Sequence, residues 1–80
     1  MQELEQQSFA HEGRSFIAKL FSNGYRFEVV VFLKGQQVSP RYGVDLETDV
    51  DYFMQHREHL TSHLFEIAKS DIEQGLYLQP

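Results

Sequence analysis

Eighty residues carrying a net charge of −5, with 41% hydrophobic and 24% charged side chains, describe one small folded domain rather than a disordered segment. A chain this short buries only about 60% of its extended surface, so its core is thin and self-association is a ready way to extend it. The absence of Cys excludes disulfides, thiolate metal sites and a thiol nucleophile, and no apolar run approaches the roughly 20 residues that span a bilayer.

The charge is unevenly placed. Residues 14–44 sum to +4, residues 45–75 to −6 and residues 1–13 to −3. An acidic whole argues against bulk binding to nucleic acid but leaves a local basic surface open. The opening Met1-Gln2-Glu3-Leu4-Glu5-Gln6-Gln7 is polar and acidic, the opposite of a basic then apolar leader, so a cytoplasmic protein is expected. Residues 1–6 are expected to fray.

Turn residues then organise a sheet over about residues 8–45. Glu12-Gly13 predicts a turn that sets a short strand around Phe9-Ala10-His11 beside the next, with Phe9 opposite Phe16. Asn23-Gly24 predicts a type I′ hairpin, since that turn needs positive φ at both central residues. It pairs Leu20 with Phe27, Ala18 with Val29 and Phe16 with Val31 on one apolar face. The other face pairs Phe21 with Arg26, Lys19 with Glu28 and Ile17 with Val30. Gly35-Gln36 predicts a type II′ turn that places Val31 opposite Pro40, Val29 opposite Tyr42 and Phe27 opposite Val44. Pro40 then falls on an edge strand, where its missing N–H is harmless.

After Val44 the period changes to that of a helix, predicted over about residues 48–74. Thr48 is the expected N-cap, Asp49 and Asp51 complement the helix dipole, and Gly75 is the expected C′ stop. No Gly or Pro interrupts it, so the pattern predicts one helix of about 40 Å. Val50, Phe53, Leu60, Leu64, Ile67 and Ala68 form its apolar stripe, with Met54, Phe65 and Ile72 as a shoulder open to a partner. The fold expected is α+β in two layers: an antiparallel β-meander of three to four strands packed by one long C-terminal helix.

No residue pattern points to catalysis. There is no Gly-x-Ser-x-Gly elbow and no phosphate-cradling glycine loop, so the chain is not expected to be an enzyme. His56, His59 and His63 share one side of the expected helix, and His59/His63 have a spacing that can chelate Zn²⁺ with Glu66. His59-Leu60-Thr61-Ser62-His63 lacks the Glu of a metalloprotease, and a solvated helix shoulder is the simpler reading, so no metal is expected. Asp45, Glu47, Asp49 and Asp51 imitate a calcium loop, but Val50 and His56 occupy its essential glycine and acid positions. Arg57, midway along the stripe, is expected to reach solvent or pair with a strand carboxylate. No cofactor is expected.

The outer sheet face carries the functional expectation. It gathers Ile17, Lys19, Phe21, Arg26, Val30, Phe32 and Arg41, with Lys34, on a surface that one helix cannot cover. Apolar side chains there suit a protein partner or a second copy in a homodimer. Aromatics among cations also suit single-stranded nucleic acid, the alternative. A third occupant is the N-terminal segment, folded across the face through Leu4. The order of elements also invites comparison with double-stranded-RNA-binding domains, but the acidic Asp49-Val50-Asp51 turn would repel phosphate, and the comparison is set aside. The expected function is thus a non-catalytic protein-interaction module that self-associates.

Overall fold

A computed structural model describes residues 1–75 of the chain. Strands β1 (Gln2–His11), β2 (Arg14–Ser22), β3 (Arg26–Leu33), β4 (Gln36–Gln37) and β5 (Tyr42–Asp45) precede helices α1 (Leu46–His56) and α2 (Leu60–Glu73). The strands form one antiparallel sheet in the order β1-β2-β3, with β4 and β5 sharing the far side of β3. The architecture is α+β: a meander sheet with helices on one face.

The sheet sorts its side chains by face as the alternation requires. Phe16, Ala18, Leu20, Val29 and Val31 point inward and are buried against Phe65, Ala68 and Ile72 of α2. Phe9 stacks on Phe16 with ring centroids 5.3 Å apart, opposite it in register, and Lys69 of α2 lies over the same ring. Tyr42 donates its hydroxyl to Asp71 at 2.7 Å, tying β5 to α2.

Register departs from expectation at two turns. In the first, Asn23 does not adopt positive φ. Its side-chain oxygen instead accepts the N–H groups of Tyr25 (2.9 Å) and Arg26 (3.0 Å), a local bond that asparagine offers in competition with the I′ turn. The connection lengthens, and Leu20 pairs with Val29, Ala18 with Val31 and Phe16 with Leu33. The slip is two residues, an even number, so no side chain changes face.

In the second, the turn residues are Lys34 and Gly35, both at positive φ, one position earlier than expected. The irregular stretch 38–41 then restores the expected pairs Val29–Tyr42 and Phe27–Val44. Pro40 therefore lies outside the ladder rather than opposite Val31. The N–H of Val31 is instead taken by the hydroxyl of buried Ser39 at 2.9 Å, which donates its own proton to the Pro40 carbonyl.

Strand pairing extends beyond residue 6 toward the N-terminus. β1 continues to Gln2 through a bulge at Leu4, because β2 is nine residues long and its outer edge would otherwise be unpaired. The segment extends the sheet sideways instead of folding across it.

The predicted single helix is two helices. α1 starts after Asp45, three residues before the expected cap, with the Leu46 N–H donated to the Tyr25 carbonyl at 2.9 Å. It ends at Arg57, which takes left-handed φ of 59° and donates its N–H to Phe53. Arg57 is thus an exposed cap, not a member of an apolar stripe. The break lets α2 turn Phe65, Ala68 and Ile72 onto the sheet, so the shoulder residues Phe65 and Ile72 are core and not open to a partner. Ile67 and Val50 of the expected stripe are exposed. Gly75 follows α2 at φ 74° and donates to the Ile72 carbonyl, as a C′ glycine should.

A candidate interaction surface on the outer sheet face

β2 and β3 present alternate residues away from the helices. Ile17 lies opposite Phe32, Lys19 opposite Val30 and Phe21 opposite Glu28, with Arg26 opposite Asp45 of β5. All seven expected residues are therefore on or beside one surface, Arg41 reaching it from the segment before β5.

The apolar part is tightly arranged. Phe21 and Phe32 meet edge to face at 6.5 Å between centroids, and Lys19 sets its ammonium 5.4 Å from the Phe32 ring centre. Val30, though on the face without a helix, is only 1% exposed, because neighbouring side chains lean over it. A hollow of about 220 Å³ opens between Met1, Phe21, Val30, Phe32 and Arg41. A second, of about 490 Å³, lies on the other side of Phe32 against Ile17, Lys19 and Ser8. Phe32 is the wall between them.

The cations are matched by three acids: Glu28, expected on this face but opposite Lys19, and Glu3 and Asp45, which the sequence did not assign to it. Lys19 reaches Glu3 of β1 at 3.2 Å rather than Glu28. Arg26 bonds Asp45 at 2.9 Å and Glu28 at 3.3 Å, and Arg41 bonds the other oxygen of Glu28 at 2.9 Å. Hydrogen bonding to Asp45, then to Glu28, raises the Arg26 pKa above its ordinary value, which reports how closely the guanidinium is held by the two carboxylates. Three cations and three carboxylates thus pair in a frame around the rings, and Lys34 adds one positive charge, unmatched among the described residues, at the edge of the larger hollow.

Gly43 makes part of this frame possible. It lies in β5 opposite Glu28 of β3, and a Cβ there would collide with the Arg26 guanidinium. A glycine inside a strand is a sequence signal for such a close approach. Glu3 carried no comparable signal, because its place beside Lys19 depends on β1 pairing to its very start.

The histidines do not converge. The αL turn at Arg57 puts His59 before α2, so His59 and His63 no longer share a helix face at chelating spacing. His59 stacks on Phe53 and bonds Asp49 at 2.9 Å, whereas His63 meets Tyr52 and Glu58, each at 3.3 Å. His56 packs on the Tyr52 ring. Among the described residues, no group of three His, Asp or Glu side chains is placed to hold a metal ion, and no helix is long and apolar enough to cross a membrane.

Compared with known proteins, the chain matches no family model, no curated protein and no solved structure.

Proposed function

We propose that the chain is a small non-catalytic interaction module that self-associates through the outer face of its sheet. One observation carries this reading: Ile17, Phe21, Val30 and Phe32 sit within a frame whose cations are already paired with carboxylates of the same chain. An apolar centre with a largely charge-matched rim lets two copies approach with little net repulsion, and the half-buried Ile17, Phe21 and Phe32, already packed over Val30, would lose their remaining exposure to water on pairing.

The same frame weighs against nucleic acid. Stacking of bases on Phe21 and Phe32 is supported by free cations beside the rings, but Glu3, Glu28 and Asp45 occupy Lys19, Arg26 and Arg41. That leaves Lys34, at the edge of the larger hollow, as the cation of this face without an ion pair among the described residues. Mixed single-stranded oligonucleotides should show no salt-sensitive binding even at low ionic strength.

The deciding experiment is mass in solution from low to high micromolar concentration. The wild type should rise toward a dimer, and Phe32→Lys, at a half-buried outer-face site, should remain a monomer that still melts cooperatively, at a lower temperature because the Phe21 contact is lost. A wild type that stays monomeric throughout, or a Phe32→Lys variant that still dimerises, rejects the reading.

A further inference from the structure

α1 carries apolar side chains on both sides, with half-buried Tyr52 and Phe53 packed inward against His63 and His59. It turns Asp49, 3% exposed, toward the body of the protein and leaves Leu46, Val50 and Met54 outside. Those three recur at i, i+4 and i+8, so they make one stripe along the helix. Val50 is 48% exposed and Met54 66% exposed, and Tyr25, at 81%, stands at the N-terminal end of the same stripe. The Tyr25 carbonyl accepts the Leu46 N–H, which fixes the loop against the helix. Between loop and helix lies a hollow of about 540 Å³.

The electrostatics of this face differ from those of the outer sheet. Glu47 and Asp51 border the hollow one helical turn apart, and neither makes an ion pair among the described residues. Asp45 borders it too, shared with Arg26. The surface is therefore apolar at its centre with unmatched negative charge at its rim. A second copy laid across Val50 would bring these carboxylates against themselves, and a phosphate-rich surface would be repelled.

We propose that the exposed face of α1 docks a cationic amphipathic helix from a different protein. Its apolar side chains would fill the hollow and cover Val50 and Met54, and Lys or Arg one turn apart would meet Glu47 and Asp51. This site meets the self-association face at Asp45 but is centred on Val50 and does not depend on that face.

The test uses the full chain and a labelled amphipathic peptide with Leu on one helical face and Lys on the other, read by fluorescence anisotropy. A second peptide replaces every Lys with Glu. The Lys peptide should bind, with affinity falling as salt rises, and the Glu peptide should not. Val50→Gln/Met54→Gln, which leaves net charge unchanged, should weaken binding at least ~10-fold, the scale set by exposing two contact side chains. Glu47→Gln/Asp51→Asn should weaken it several-fold and flatten the salt dependence. Phe32→Lys should leave peptide affinity unchanged, which separates this site from the dimer face. Equal binding of both peptides, or full affinity in Val50→Gln/Met54→Gln, would mean only diffuse attraction to an acidic protein and overturns the proposal. A fall in mass of the free protein on Val50→Gln/Met54→Gln would make the occupant a second copy and overturns it equally. Should that variant fail to melt cooperatively, the charge variant and the peptide pair still decide.

Discussion

The carboxylate of Asp49 accepts the backbone N–H of Leu60 at 2.7 Å, so a residue in the first helix caps the start of the second. Its other oxygen meets His59 Nδ1 at 2.9 Å. α2 has no capping side chain of its own, since the residue at that position is His59. A long-range cap of this kind explains both why an acid is buried and why a chain without Gly or Pro bends there.

Removing the cap should be costly. Asp49→Ala leaves the Leu60 N–H and the His59 ring without their partner and should destabilise the fold by about 2 kcal/mol in urea unfolding. Asp49→Asn keeps an acceptor for Leu60 and should lose about half as much. Exposed Asp51→Asn should change little. Equal effects at positions 49 and 51 would show that the Asp49 bonds contribute nothing net.

Arg57 offers a test of the helix break itself. A left-handed backbone costs a non-glycine residue about 1 kcal/mol, which Gly avoids at some cost in unfolded-chain entropy. Arg57→Gly should therefore raise the unfolding free energy in urea modestly, by about 0.5 kcal/mol, and β-branched Arg57→Val should lower it. Within one continuous helix the sign for glycine would reverse, with a loss of about 1 kcal/mol.

Ser39 stands in for a missing strand. Ser39→Ala leaves the buried Val31 N–H without an acceptor and should cost roughly 1–3 kcal/mol. Amide exchange should locate the effect: Val31 should lose protection while Leu20, on the other side of β3, keeps it. Unchanged protection at Val31 would contradict the bond.

Gly43 should matter to Arg26 more than to the backbone. Gly43→Ala displaces the guanidinium, the far end of a flexible side chain, so stability should move by less than about 0.5 kcal/mol. The Arg26 Nε–H resonance should shift and exchange faster, reporting loss of the Glu28 bond. A loss above about 2 kcal/mol would place the requirement in the strand and not in the arginine.

Which side chains of the sheet face inward was legible in the residues, because alternation has period two and survives any even slip. Phe16, Ala18, Leu20, Val29 and Val31 are core under both the expected and the observed pairing. Glu12-Gly13 and Gly75 were legible for a local reason: each needs a backbone geometry that its neighbours do not contest. Asn23-Gly24 was misread because asparagine has two local options, positive φ or a side-chain bond to its own loop, and the sequence pattern does not rank them.

The remainder belongs to tertiary structure. Nothing in residues 46–73 marks a break at Arg57, since the bonds that stabilise it come from Asp49 and from the packing of Phe65 and Ile72 on a sheet that must already exist. The outer-face cations likewise showed their positions in sequence but not their partners. Glu3 and Asp45 reach Lys19 and Arg26 only once β1 and β5 are paired, because charge complementarity acts over a few ångströms and distance along the chain does not supply it.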